Sequence, residues 1–149
     1  MLGGKEQVHN FVRIHHEAPD CICHEHFKNV IYDEGRSSFD GTVIVNQGAQ
    51  LSNSNQLINN LMLSNSCHAD NKPNLMIFAD DVKCTHGATI GQIDDEQMFY
   101  LQTRGLSEKF AKELLTRGFA ESIIQTIEFP EVVNELSNTL LKKLEASNV

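Results

Sequence analysis

The chain changes its hydrophobic rhythm once, near Gly91. Before that point short runs rich in Val, Ile and Phe are separated by stretches of Asn, Ser, Gly and Asp. The clearest are Phe11-Val12-Arg13-Ile14, Thr42-Val43-Ile44-Val45 and Leu75-Met76-Ile77-Phe78. β-branched runs bounded by turn residues predict short strands. After Gly91 the apolar positions fall at helical spacing. Asp94 is placed to cap a helix, with Gln97 completing a capping-box pattern and Ile93 and Met98 at the staple positions. That helix is expected to run to about Arg104 and stop at Gly105. Ser107 caps a second helix with Phe110, Ala111, Leu114 and Leu115 on one side, ending at Gly118. A third, shorter helix is predicted over 119–127. Pro130 opens a fourth, striped by Val133, Leu136, Leu140 and Leu144. The closing Ala-Ser-Asn-Val is expected to fray.

The strand half repeats. Val12 and Ile14 align with Val43 and Val45, then with Leu75 and Ile77, at spacings of 31 and 32 residues. Cys21 and Cys23 align with Leu51 and Asn53, then with Val82 and Cys84, at spacings of 30 and 31. A period of this length made of short strands predicts a β-solenoid of two to three coils, with a β-sandwich of regular hairpins as the alternative. The register stacks Cys23 over Asn53 over Cys84. Coils about 4.8 Å apart then separate the two sulfurs by roughly 10 Å, too far for a disulfide or a shared metal.

Composition narrows the function. The 149 residues suit one domain or a domain with a small appendage, here 1–91 for the strands and 92–149 for the helices. A net charge of −8 and the absence of a Lys/Arg cluster argue against nucleic acid as the partner. No apolar run is long enough to span a bilayer, and no basic-then-apolar start marks a secretory signal. The four cysteines therefore read as reduced thiols in a reducing compartment. No Gly-rich Lys-Ser/Thr loop is present, so ATP is not expected to bind this chain by that route.

Candidate chemistry centres on Asp80-Asp81-Val82-Lys83-Cys84-Thr85-His86-Gly87. Residues two apart on a strand share a face, so Cys84 and His86 form a small thiol–imidazole pair. Thiolate and imidazole both suit iron or zinc, and a neighbouring imidazolium would favour the thiolate. Two ligands do not close a site; a buried cysteine beside a hydrogen-bonded histidine is the competing reading. Cys21, Cys23, His24, Glu25 and His26 form a second cluster. Alternation puts Cys21, Cys23 and Glu25 on one face and both histidines on the other, which favours stacking over a single metal site. His15, His16 and Glu17 would add surface donors, and Cys67 has no assigned role. Asp80 and Asp81, adjacent on a strand, face opposite ways and suit a corner better than an acid/base pair. Gly87 and Gly91 are expected to make tight turns.

Cys84-Thr85-His86-Gly87-Ala88-Thr89, followed by Asp94-Asp95-Glu96-Gln97-Met98-Phe99-Tyr100-Leu101-Gln102-Thr103-Arg104-Gly105-Leu106, resembles the C-terminal signature of the SufB/SufD family of iron–sulfur cluster assembly. Gly41–Val45, Ala49-Gln50, Gln56, Leu61-Met62-Leu63-Ser64 and Gly118-Phe119-Ala120 extend the likeness over about 12–127. The Cys-Thr-His-Gly-Ala-Thr form is similar to the SufD type. The resemblance implies a right-handed parallel β-helix followed by a helical domain, acting as a non-enzymatic scaffold. It implies pairing with a SufB-like subunit and docking of SufC, an ABC-type ATPase, by the helices, at Phe99, Tyr100, Arg104, Gly105 and Phe119. It also implies a transient iron–sulfur cluster at a subunit interface near His86, with Cys84 as its neighbour, in the cytoplasm or a plastid stroma. The chain is far shorter than a full family member and looks like a C-terminal portion. A homodimeric or metal-binding solenoid fragment, and a thiol enzyme with Cys84 as nucleophile, are the readings from other classes.

Overall fold

A computed structural model describes residues 1–147. Six strands come first: β1 (Gln7–His16), β2 (Ile22–Ile31), β3 (Arg36–Val45), β4 (Asn53–Met62), β5 (His68–Ile77) and β6 (Lys83–Gly91). Three helices follow: α1 (Asp95–Thr103), α2 (Glu108–Ile124) and α3 (Pro130–Ser147). Odd strands form one sheet in the order β1-β3-β5, and even strands a second in the order β2-β4-β6. All pairings are parallel. Successive strands thus alternate between two sheets, the β-helix-like arrangement that the repeat predicts, and not a sandwich of hairpins.

The observed register refines the predicted one. Ile14, Val43 and Leu75 are true neighbours, whereas Val12 pairs with Gly41 and not with Val43. A slip of two keeps every side chain on its face, so the hydrophobic pattern alone could not expose it. The cysteine column is Cys23–Ser54–Cys84; Asn53 pairs instead with Ile22 and Lys83. A slip of one reverses the face. Asn53 accordingly lies in solvent while Ser54 is buried.

The interior lies between the sheets. Phe39, Val43, Val45, Ile31 and Ile58 are fully or almost fully buried, each contributing roughly 1.5–3 kcal/mol by removal from water. The Phe27 and Phe39 rings meet across the interior with centroids 4.8 Å apart. Gly41 is required here: a Cβ would lie 2.4 Å from the Phe39 ring and 2.6 Å from Gln56 Nε2. At one corner Asp20 N donates to Gln50 O at 3.0 Å and Leu51 N to Asp81 O at 2.6 Å. Those bonds hold Leu51 at a φ of 63°, a left-handed conformation costing about 1 kcal/mol. Asp81 N in turn donates to Gln50 Oε1 at 2.9 Å, so Asp81 takes the corner role expected of it.

β4 has an unpromising composition, Asn-Ser-Asn-Gln-Leu-Ile-Asn-Asn-Leu-Met. It forms because the parallel stack aligns its amides with partners. Asn55 donates to Thr85 at 2.8 Å, Asn59 to Thr89 at 2.9 Å, and Asn29 to Asn60 at 2.9 Å. Gly87, expected in a turn, sits inside β6 opposite Leu57, and an added Cβ would only touch the leucine at 3.4 Å.

Asp94 caps α1, accepting from Glu96 N at 2.8 Å and Gln97 N at 3.3 Å. Gly105 stops it at a φ of 93°. Ser107 caps α2 by accepting from Phe110 N at 3.3 Å. The predicted stop at Gly118 does not occur. α2 continues to Ile124, so the expected second and third helices are one. A glycine interrupts a helix only when the chain beyond it gains by turning away, and here Phe119 beyond it packs on Lys28 of β2. Pro130 opens α3, where Leu140 and Leu144 are buried but Leu136 is 40% exposed. Of the closing residues expected to fray, Ala146 and Ser147 remain in α3, and the last two lie outside the described residues.

Candidate functional site

β6 is an edge strand, paired on one side with β4. Alternation on β4 buries Ser54, Gln56, Ile58 and Asn60 and turns Asn53 and Asn55 outward. The register then places Cys84 beside Ser54 and His86 beside Gln56, both on the interior-facing side of β6. The predicted common face of Cys84 and His86 follows. Cys84 is half-buried, packed with Val82 against Val43, Val45, Ala49 and Ala79. His86, one pair further along the open edge, is exposed.

On the far side of β4, β2 contributes Cys23 beside Ser54 and Glu25 beside Gln56. Two transverse rows therefore cross the sheet, Cys23–Ser54–Cys84 and Glu25–Gln56–His86. Gln56 Nε2 donates to Glu25 Oε2 at 2.8 Å, a bond buried from solvent. Ser54 Oγ, Glu25 Oε1 and Gln56 Oε1 are buried without a hydrogen-bond partner. The second row was not legible as a row, although Glu25 is correctly expected on the face of Cys23. The signal lay in the alternate polar positions 54 and 56, readable only with the right register.

Burial pushes the Cys84 thiol above its ordinary value of 9.0. Cys23 is raised as well, by burial first and by the charge of Glu25 second. This partial burial favours the neutral thiol of Cys84.

His24 and His26 point outward as expected, and His26 Nε2 lies 2.7 Å from Asn59 Oδ1. Cys21 Sγ donates to Ala18 O at 3.1 Å, and Cys67 Sγ is buried, 3.3 Å from Ile31 O. His16 is not a surface donor; it is 3% exposed, in the interior at the end of β1. Among the described residues no group of three or more His, Cys, Asp or Glu side chains is close enough to hold a metal ion. Cys84 and His86 are two donors at an open edge.

The residues assigned to the helical surface separate into two sets. Phe99 and Tyr100 are 68% and 56% exposed on α1, and the Arg104 guanidinium lies 5.2 Å from the Tyr100 ring. Gly105 is exposed at the α1–α2 turn. Phe119 faces inward instead, its ring 4.6 Å from Lys28 Nζ.

Fold and site together define a parallel two-sheet protein that carries a thiol–imidazole pair on an edge strand and packs a helix against the outer face of its even-strand sheet. The chain belongs to the family of the SufBD core domain of the SUF system of iron–sulfur cluster assembly, whose family model matches residues 1–119. It is similar to the iron–sulfur cluster assembly protein SufD of Escherichia coli, 38% identical over 114 residues, which cover 76% of this chain and 27% of that protein. An iron–sulfur cluster assembly SufBD family protein of Synechocystis is 38% identical over 129 residues, covering 85% of this chain and 28% of the relative. The chloroplastic protein ABCI7 of Arabidopsis thaliana is 38% identical over 109 residues, covering 73% and 23%. The chain thus spans about a quarter of the length of these relatives. No helix among the described residues is long and apolar enough to cross a membrane.

Proposed function

We propose that this chain is the β-helix and helical portion of a non-enzymatic scaffold subunit in iron–sulfur cluster assembly. The strand region, residues 1–91, winds as a right-handed β-helix and pairs with a SufB-like subunit along its open edge. His86, with Cys84 beside it, faces the joint surface and contributes to holding a nascent cluster, which is cargo and not a resident cofactor. The helical domain, residues 92–149, docks a SufC-like ABC ATPase through the exposed face around Phe99, Tyr100, Arg104 and Gly105. ATP is bound by that partner, and its movement rearranges the shared interface. The setting is the cytoplasm or a plastid stroma.

The observation that supports this most is the placement of Cys84 and His86 on one face of an edge strand, in a chain of the SufBD core family. Two donors at an open edge suit a site completed by another subunit. The raised Cys84 thiol speaks against the thiol-enzyme alternative, since a nucleophile needs a lowered pKa. The test is reconstitution with SufB-like and SufC-like subunits under anaerobic conditions, with assay of iron and sulfide. His86→Ala should abolish or severely reduce cluster content while the subunits still co-purify. Full cluster content in that variant would refute the role of His86.

A second reading is a self-pairing solenoid. It is favoured by the uncovered apolar side chains of the last strands, Ile77 at 41% and Ile90 at 54% exposed. The mass of the purified chain alone discriminates it.

A further inference from the structure

Glu25 and Gln56 place a hydrogen-bonded polar pair in an otherwise apolar part of the interior. Gln56 is fully buried and Glu25 is 9% exposed, at positions flanked by Phe27 and Ile58. A buried polar group without partners costs roughly 1–3 kcal/mol, and here two acceptors, Glu25 Oε1 and Gln56 Oε1, lack a donor. Gly41 across the interior supplies the space, since any Cβ there would meet Gln56 Nε2 at 2.6 Å.

The chemistry of the pair sets the direction of the amide. A carboxylate only accepts, so the Gln56 NH₂ must face Glu25 and its carbonyl must face away. The bond of 2.8 Å from Nε2 to Glu25 Oε2 holds that orientation. On the opposite side of β4 from Glu25, the residue paired with Gln56 is His86. Its imidazole carries an N–H and, being exposed, is free to turn about its side-chain torsions. A histidine that ligates a metal generally donates its other ring N–H to a carbonyl or carboxylate, which selects the tautomer and the ring plane.

We propose that Glu25 and Gln56 are positioning residues for His86: Gln56 Oε1 accepts one ring N–H, and Glu25 holds the amide in the orientation that allows it. The row Glu25–Gln56–His86 then crosses the sheet from the buried Glu25 on β2 to the exposed His86 on β6. It leaves the second ring nitrogen of His86 as a free acceptor pointing away from the core, ready for a metal ion or a proton. The use of that nitrogen for cluster assembly rests on the function proposed above; the tautomer does not.

The test is a long-range ¹H–¹⁵N correlation spectrum of the histidine rings in the full chain, at about pH 8.5, where imidazoles are neutral, with His86→Ala to assign the signal. The wild-type ring should show two widely separated ¹⁵N shifts, the pattern of one tautomer. Gln56→Met should collapse them toward an average, because no acceptor remains. Gln56→Asn, one methylene shorter, should do the same if the methionine variant does not fold. Glu25→Gln, which can donate as well as accept, no longer fixes the amide and should move the two shifts toward the average; unchanged shifts would remove Glu25 from the assignment. An averaged wild-type ring, or a single tautomer persisting in a folded Gln56 variant, would overturn the assignment. Neither result depends on cluster content, so failure here and failure of the His86→Ala reconstitution are separate outcomes.

Discussion

Lys28 on β2 and Phe119 on α2 are joined twice over: Lys28 Nζ donates to Phe119 O at 3.1 Å and lies 4.6 Å from the centroid of the same residue's ring. The ammonium also bonds the Ser122 hydroxyl. This cluster ties the helical region to the outer face of the even-strand sheet. Its partial burial lowers the Lys28 pKa. Lys28→Met keeps the aliphatic stem and removes the donors, so it should cost about 1–2 kcal/mol in urea unfolding. Amide exchange should accelerate in α2 more than in β3. A uniform change across both elements would mean that the contact is not a local tie.

Gly41→Ala should destabilise the fold by about 1–3 kcal/mol, the usual cost of overpacking. The new methyl would start 2.4 Å from the Phe39 ring and 2.6 Å from Gln56 Nε2, and neither can retreat through a filled interior. Thermal unfolding measures the loss.

Gly118→Ala should have the opposite sign. Gly118 lies inside α2, has no atom within 4 Å of an added Cβ, and is not among the positive-φ glycines. A gain of about 0.5–1 kcal/mol is expected from the narrower unfolded ensemble and better helix propensity. A loss would mean that α2 bends at this residue in solution.

Cys23 should alkylate slowly at neutral pH, with a pH–rate midpoint above the ordinary thiol value of 9.0. Because the folded thiol holds its proton more tightly than the unfolded one, its contribution to stability is intact below 9.0 and is lost as pH rises through the folded value. Glu25→Gln should move the midpoint down by removing the neighbouring charge, which raises it after burial. The measurement is iodoacetamide labelling followed by peptide mass analysis, in a chain with the other three cysteines replaced by serine.

Much of this protein was decided locally. The change of rhythm at Gly91, the caps at Asp94 and Ser107, the stop at Gly105 and the shared face of Cys84 and His86 all depend on residues a few positions apart, where periodicity and capping chemistry act directly. The family could be read from the same stretch, because its motif is contiguous. The tertiary structure alone decided what stands beside what. Corner lengths differ between successive turns of the chain, so the strand offsets are not constant, and one residue of error put Asn53 where Ser54 belongs. That single residue separates a solvent-facing amide from the interior rows that bring Glu25 and Gln56 up to His86. The continuity of α2 through Gly118 was likewise settled at a distance, by Phe119 packing on a lysine 91 positions earlier. Local propensity ranks the conformations open to a segment, and burial against remote partners selects among them.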